Sequence, residues 1–185
     1  MRNIFIDCGY HKGNVTEMFK RKESESFEYF AFEANPHLFK RFCERHSFCK
    51  LENKAVWIED SKVTFYIIEI DKNPKKENFM AGASTLNKKK AEWNERVHEK
   101  QGEITVDSLD FSNFILKNFS KEDHIVVKMD IEGAEYEVLE KMIKDDSIDY
   151  LNELIVEFHD DRTGMDSKTI KEKLKERSLK VKEWE

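Results

Sequence analysis

Short apolar runs alternate along the chain with segments whose apolar residues recur every three or four positions. The first run, residues 3–6, ends at Asp7, and helical spacing follows at Val15 and Phe19. The same order of strand and helix repeats over residues 27–43. Alternation of this kind predicts an α/β fold: a doubly wound, mainly parallel sheet with helices on both faces.

The alternation is interrupted between residues 57 and 120. Two strands over residues 63–70 and 103–109 and a charged helix over residues 87–100 are predicted there. Trp93 and Val97 are the main apolar residues of that helix, and so narrow an apolar stripe indicates weak anchoring. We interpret residues 57–120 as an insert, with the role of a lid or of a specificity element, within a single domain of residues 1–185.

The alternation returns with HIVVKMD, residues 124–130, which is apolar on both faces as in parallel strands covered on both sides. The elements predicted after it are a helix over residues 132–144, a strand over 151–158, a helix over 167–177 and a strand over 179–184.

Composition narrows the possible functions. Hydrophobic residues make up 39% of the 185 residues and charged residues 38%, so the chain can form a core. The 32 basic and 38 acidic residues are interspersed, and the net charge of −6 argues against a nucleic-acid clamp. An apolar run of membrane-spanning length is absent from the sequence, and three cysteines without an export signal indicate reduced thiols; we therefore expect a cytoplasmic protein without membrane insertion.

Polar and acidic groups directly follow the predicted strands. They are Asp7-Cys8-Gly9, Glu33-Ala34-Asn35, Asn53-Lys54-Ala55, Asp130-Ile131-Glu132 and Glu157-Phe158-His159. Ligands of open α/β sheets bind at the carboxyl ends of the strands, where the winding reverses. This clustering is the main functional signal in the sequence.

The opening loop has the pattern D-x-G-x-x-x-G, in which Asp7 takes the place of the first glycine of a dinucleotide fingerprint. A fixed carboxylate repels a diphosphate but suits a cationic amino group. Glu33 lies where a carboxylate can accept hydrogen bonds from a ribose diol. Adenosine with an ammonium group indicates S-adenosylmethionine. A nicotinamide-dependent oxidoreductase or epimerase is disfavoured by Asp7 and by the lack of a Tyr-x-x-x-Lys pair, and a non-enzymatic cofactor-binding protein stays an alternative.

Seven segments together resemble the FkbM-type methyltransferases, which have a Rossmann-like class I fold. They are FIDCGYHKGNVT, AFEANP, NKAV, ASTL, VDSLDFSNF, VVKMDIEGAEYEVL and LIVEFHD, in the family's order from residue 5 to about residue 160. The resemblance implies O-methylation of a hydroxyl, often on a sugar or glycan or another small molecule, with S-adenosylhomocysteine as the second product. Cys8, Tyr10 and His11 depart from the usual loop, and one strand follows EFH where the fold commonly has two.

We expect the cofactor to be held by residues of three strand ends. These residues are Asp7, Gly9, His11, Gly13 and Asn14 in the first loop, Glu33, Ala34 and Asn35 after the second strand, and Ala55. His11 either contacts the cofactor's carboxylate or faces water. The acceptor would be a small molecule or glycan whose specificity is determined by the insert, and no nucleic-acid partner is expected.

Four polar residues are candidates for the chemistry. Asp130 is the first candidate for the base, or for a ligand of a metal that acidifies the hydroxyl; the alternative is a helix N-cap. His159 is a second candidate base because its unperturbed pKa lies near neutrality, with a structural role as the alternative. Asp130, Glu132, Glu157 and His159 together offer the ligands of a divalent cation such as magnesium.

Three other patterns carry weaker expectations. Cys43, His46 and Cys49 lack a fourth zinc ligand, so we interpret Cys43 as a core thiol and His46 as a surface side chain. The lysine runs KNPKK and NKKK are expected to be solvated, or to steer an anionic acceptor. Ser84 and Thr85 either line the pocket or turn the chain.

Overall fold

A computed structural model describes residues 1–23, 26–68, 83–97 and 101–184. Its centre is a six-stranded parallel sheet flanked by helices, which confirms the predicted α/β class. Within the described residues, no helix combines the length and the apolar character needed to cross a membrane.

Nine strands and seven α-helices occur in the described residues. The strands are β1 (Asn3–Cys8), β2 (Glu28–Phe32), β3 (Cys49–Glu52), β4 (Ala55–Trp57), β5 (Lys62–Ile68), β6 (Gln101–Asp110), β7 (His124–Met129), β8 (Glu153–Val156) and β9 (Lys180–Glu183). The helices are α1 (Asn14–Lys22), α2 (Pro36–Phe42), α3 (Lys88–Val97), α4 (Phe111–Asn118), α5 (Glu135–Lys144), α6 (Asp160–Thr163) and α7 (Lys168–Lys175), with a 3-10 helix at Ser147–Tyr150.

The main sheet has the order β3-β2-β1-β7-β8-β9, and all its strand pairs are parallel. The winding reverses between β1 and β7, where Asp7 lies opposite Lys128. Ile4, Val127 and Leu154 are fully buried in the core beneath this sheet. The carboxyl ends of β1 and β7 therefore form the switch point at which a doubly wound sheet binds its ligand.

The predicted insert contains a second, three-stranded sheet of order β4-β6-β5. In it β4 is parallel to β6, whereas β5 is antiparallel to β6. The predicted strand over residues 63–70 is confirmed up to residue 68, and its last two residues lie outside the described chain, as do the KNPKK run and residues 98–100. Helix α6 and the 3-10 helix were not predicted from the sequence pattern.

Helix α3 is anchored by polar residues, contrary to the prediction. Its buried side chains include Lys90, Ala91 and Asn94, while Trp93 is only half-buried. The Asn94 side-chain amide donates to the carbonyl of Ala83 over 2.9 Å. The expectation that the whole NKKK run is solvated was therefore wrong for Lys90. Its side chain is buried, and its ammonium contacts the carboxylate of Glu132.

Candidate active site

A cleft lies at the carboxyl ends of β1, β2 and β7, between the main sheet and the three-stranded sheet. Its empty volume is about 600 Å³, including space open to solvent. The lining residues are Gly9, His11, Phe32, Glu33, Ala34, Lys54, Ala55, Val56, Phe65, Ser84, Leu86, Asp130, Ile131, Glu132 and Ala134. Four of the five predicted strand-end groups thus contribute residues to one cleft, together with Phe65, Ser84 and Leu86 from residues 57–120.

Gly9 allows the loops after β1 and β7 to approach closely. Its φ is 85°, and a Cβ added there would lie 1.9 Å from the Asp130 carbonyl oxygen. Gly13 has another role: a Cβ at this position would lie 2.3 Å from the ring of Tyr10. Neither Gly13 nor Asn14, the first residue of α1, lines the cleft.

Tyr10 lies in the loop after β1, where a small residue is usual, and its ring packs against Gly13. It is 3% exposed, and its hydroxyl lies 2.8 Å from Nδ1 of His46. His46 is therefore buried while Cys43 is exposed, so the expectations for these two residues were wrong. The tyrosine–histidine hydrogen bond gives the imidazole a partner inside the protein, which the sequence pattern did not indicate.

Lys128 connects the two strand ends at the switch point. Its ammonium lies 3.2 Å from Oδ1 of Asp7 and 3.5 Å from Oδ2 of Asp130, and it donates to the Gly9 carbonyl over 2.8 Å. Burial lowers the pKa of Lys128, but the two carboxylates more than offset this and hold that pKa above its ordinary value. Lys128 is therefore an internal cation held against the loop.

Asp7 faces this lysine and does not line the cleft. It is fully buried, and its Oδ2 accepts a 2.6 Å hydrogen bond from the hydroxyl of Thr16. Asp7 thus positions the loop through Lys128 and α1. A cationic amino group of the cofactor was predicted to lie beside Asp7. In the structure, the ammonium of Lys128 lies there instead.

Glu33 lines the cleft at the end of β2 with 6% of its surface exposed. Its carboxylate accepts hydrogen bonds from the backbone N–H groups of His11, at 2.7 Å, and Asn35, at 2.8 Å. Burial raises the pKa of Glu33 to about 7, although these two donors oppose the rise. Its position is the one expected of a group that binds a ribose diol.

The residues around Glu33 are held by side-chain contacts. Asn35 does not line the cleft but caps α2, because its Oδ1 accepts from the N–H groups of His37 and Leu38. The amide of Asn53 donates to the Glu33 carbonyl over 2.7 Å. Ala34 lines the cleft beside Glu33, as does Ala55 of β4.

His11 points its ring into the cleft. Its backbone is left-handed, with a φ of 51°, and its buried Nε2 has no hydrogen-bond partner among the described residues. Burial lowers the pKa of His11, and the charges of Lys12 and Lys128 lower it further. A buried polar atom that faces a cleft without a partner is available to a ligand.

Asp130 is the second buried group available to a ligand. It lines the cleft, and its Oδ1 has no hydrogen-bond partner among the described residues. The N-cap alternative fails because α5 begins at Glu135 and its N-cap position is Ala134. Asp130 therefore has one carboxylate oxygen 3.5 Å from the Lys128 ammonium and a second, buried oxygen without a hydrogen-bond partner among the described residues.

A second group of charged side chains lies beside Asp130 and surrounds His159. The His159 ring is 3% exposed; its Nε2 lies 3.3 Å from Glu132 and 3.5 Å from Glu157, and its Nδ1 lies 3.3 Å from Glu135. Strand β8 ends at Val156, so the chain turns there and Glu157 and His159 come together. Of these four residues, Glu132 alone lines the cleft.

Glu135 was not among the predicted site residues. It is fully buried, and its two carboxylate oxygens accept 2.8 Å hydrogen bonds from the N–H groups of Ile131 and Gly133. These bonds fix the loop between β7 and α5, in which Glu132 is left-handed with a φ of 60°. The spacing E-G-A-E is a signal for such a loop contact, because a glutamate at a helix start can reach back to preceding N–H groups.

Lys90 reaches this group from the insert. Its side chain is fully buried, and its ammonium contacts Oε2 of Glu132. Burial lowers the pKa of Lys90 to about 8, while Glu135 and Asp130 raise it. Thr85, also in the insert, donates a hydrogen bond to the Glu132 carbonyl, and Ser84 lines the cleft.

The geometry brings three possible metal ligands together. One ligand atom each from Asp130, Glu135 and His159 lie within 4.8 Å of one another. The predicted set contained Glu132 and Glu157 instead of Glu135; both carboxylates contact His159 but are not in this three-residue group. Among the described residues, Cys43, His46 and Cys49 form no such group.

Comparison with known protein families places the chain in a family. The family model described as the methyltransferase FkbM domain matches residues 7–179, which include the cleft residues and the charged side chains around Lys128 and His159. No curated protein and no solved structure gives a significant match.

Proposed function

The chain belongs to the FkbM methyltransferase family, and we propose that it is an S-adenosylmethionine-dependent O-methyltransferase acting on a hydroxyl of a sugar, a glycan or another small molecule. One observation carries this proposal: Glu33, whose carboxylate is buried, and Asp130 line the same cleft at the switch point of the sheet. The first suits a ribose, and the second lies where an acceptor would react.

The cleft residues fit the parts of S-adenosylmethionine. Glu33 would accept hydrogen bonds from the ribose hydroxyls, since each carboxylate oxygen has a second lone pair beyond the one used by His11 or Asn35. The free Nε2 of His11 would serve the cofactor's carboxylate. Ala34 and Ala55 offer an apolar surface for the adenine ring.

S-Adenosylmethionine, when bound, supplies a methyl carbon attached to a positively charged sulfur. The chain must hold an acceptor hydroxyl in line with that carbon and remove its proton. The Asp130 carboxylate would accept the proton, because Asp130 lines the cleft and has an oxygen without a hydrogen-bond partner among the described residues. Asp130 is therefore the proposed catalytic base.

His159 is proposed to act through Glu132. It is nearly fully buried and does not line the cleft, but its Nε2 lies 3.3 Å from the Glu132 carboxylate, which does. A group without access to the cleft cannot take a proton from an acceptor directly. We assign His159 to the positioning of Glu132 and not to proton transfer.

The insert is proposed to determine acceptor specificity. Phe65, Ser84 and Leu86 extend from it into the cleft opposite the strand ends. Together with the carboxylates of Asp130 and Glu132, they form a wall with both apolar and hydrogen-bonding surface. Such a wall suits a hydroxylated ring.

The test is methyl transfer from isotopically labelled S-adenosylmethionine to three acceptor sets: hydroxylated sugars and glycosides, primary amines, and single-stranded nucleic acids. Mass spectrometry would locate the label. The proposal predicts labelled oxygen in the first set only. Labelling of nitrogen or of nucleic acid would refute the acceptor class, and a lack of transfer to any set together with binding of NAD would refute the methyltransferase proposal.

A further inference from the structure

The acidic group beside the cleft already contains a buried cation that comes from the insert. Asp130, Glu132, Glu135 and Glu157 place four carboxylates around His159. Lys90 lies with its side chain fully buried against Glu132. Buried carboxylates require a counter-charge, either a metal ion or a basic side chain.

We propose that the ammonium of Lys90 takes the place of a divalent metal ion at this group, so that the folded protein excludes a metal there. The three residues that could hold a metal are Asp130, Glu135 and His159. Glu132 would complete such a site, but its Oε2 is already shared between Lys90 and His159. A divalent ion would have to displace the lysine or lie beside it, and two cations at such short range repel each other strongly.

Helix α3 packs closely on the loop between β7 and α5, which holds Glu132. At Gly133, whose φ is 103°, an added Cβ would lie 2.7 Å from Thr163 Cγ2, 3.2 Å from Asn87 Cβ and 3.6 Å from Lys90 Cδ. The Lys90 side chain therefore passes directly over the loop between β7 and α5. The Lys90 backbone N–H donates to the Asn87 side chain over 2.9 Å, which fixes the start of the helix.

Glu135 provides a second reason why a metal is disfavoured. Each of its oxygens accepts a backbone N–H at 2.8 Å, so these two interactions already compensate the carboxylate. Rotating Glu135 toward a metal would break contacts that hold the loop. Glu132 and Glu135 are therefore of a residue type that binds metals, but Glu132 serves as a partner of Lys90 and Glu135 as a partner of backbone N–H groups.

Removal of the lysine charge should create the metal site. Lys90→Met keeps the length of the side chain, and Lys90→Gln is a second neutral variant. Titration with Mn²⁺, followed by the loss of its free electron paramagnetic resonance signal, is expected to show at least about tenfold tighter binding to the neutral variants than to wild type. Mn²⁺ should also raise the melting temperature of the variants more than that of wild type.

Three controls make the result specific to this site. Lys89→Met removes an exposed charge from the neighbouring position and should bind Mn²⁺ like wild type. Lys90→Arg keeps the charge and should not gain Mn²⁺ binding. The double variant Lys90→Met with Asp130→Asn should lose what Lys90→Met gained.

Either of two results would overturn the inference. One is a folded Lys90→Met or Lys90→Gln protein that binds Mn²⁺ no better than wild type. The other, which does not depend on the variants at Lys90, is a wild-type protein that binds Mn²⁺ and loses this binding in Asp130→Asn. Because the readout is metal binding and not methyl transfer, this test is independent of the proposed function.

Discussion

At the scale of single residues, burial and hydrogen bonding give the two cleft carboxylates different tasks. Glu33 is enclosed by the protein and has an elevated pKa, whereas Asp130 lies beside a lysine and presents one free oxygen. An enclosed carboxylate with fixed donors is suited to binding. A carboxylate that lines the cleft and has an unpartnered oxygen is suited to proton transfer.

Glu33 should give the protein a measurable pH dependence. Its pKa is about 7 in the fold against an ordinary 4.5, so the folded state binds the proton more tightly than the unfolded state. The free energy of unfolding should therefore fall by about 3 kcal/mol as the pH rises from 4.5 through 7, and then level off. Glu33→Gln removes this contribution, so denaturant unfolding of both proteins across this range measures it; equal pH slopes would contradict the assignment.

Asp130→Asn should separate chemistry from cofactor binding. The amide keeps the shape of the side chain but cannot take up a proton, so turnover should fall by about 10²- to 10⁴-fold. Affinity for S-adenosylhomocysteine should change by only a few-fold. Asp107→Asn, at an exposed carboxylate paired with Lys62, is the matched control and should turn over like wild type. Full turnover by Asp130→Asn would remove this residue from the proposed chemistry.

The strand-end carboxylates could be predicted from the sequence, but their internal partners could not. Asp130 and Glu33 follow apolar runs, and this placement is visible in the residue order. Lys128 lies inside such a run and interrupts its apolar pattern. The role of Lys128 depends on Asp7, which is 121 positions away in the sequence and comes close to it only through the pairing of β1 with β7. Burial of a lysine depends on contacts that local patterns do not contain.

At the scale of elements, the loops after β1 and β7 act as one interlocked unit. The Gly9 backbone lies against the Asp130 carbonyl, and the Asp130 N–H donates to the Cys8 carbonyl over 3.1 Å. The two loops that bring Gly9 and Asp130 to the cleft are therefore joined by main-chain contact. Displacement of one loop must displace the other.

Gly9→Ala should disrupt this unit. The new Cβ would overlap the Asp130 carbonyl oxygen, and the positive φ adds strain, so we expect a loss of more than about 3 kcal/mol in the free energy of unfolding. Gly102→Ala is the matched control, because a Cβ there meets Ile67 at 3.4 Å. Thermal unfolding should show a large decrease for the first variant and almost none for the second; similar melting temperatures would argue against the interlock.

Helix α3 shows where patterns of apolar residues mislead. The narrow apolar stripe of Trp93 and Val97 predicted weak anchoring, yet Lys90, Ala91 and Asn94 of this helix are buried. The side chain of Val97 lies outside the part of the chain that the structure describes. An amphipathic pattern identifies an apolar face, and it fails when a helix packs on buried carboxylates and carbonyls instead of a core.

At the scale of the whole molecule, the cleft lies between the carboxyl edge of the main sheet, where we propose that the cofactor binds, and side chains of residues 57–120. The alternation of strands and helices in the sequence predicted a mainly parallel sheet, but the strand order β3-β2-β1-β7-β8-β9 was not predicted. The three-stranded sheet is less regular in sequence, and its pairing of β4 with β6 joins residues more than 50 positions apart. The position of the insert was therefore not predictable.

The most direct test of the account is calorimetric titration of wild type and Glu33→Gln with S-adenosylhomocysteine at a pH above 7, where Glu33 is ionised. The account predicts one binding site in wild type and an affinity reduced by about tenfold or more in Glu33→Gln, because a hydrogen bond to a charged group is lost. Glu28→Gln, at the opposite end of β2, should bind like wild type. Absence of S-adenosylhomocysteine binding to wild type, or equal affinities of wild type and Glu33→Gln, would contradict the proposal that Glu33 binds the ribose of S-adenosylmethionine.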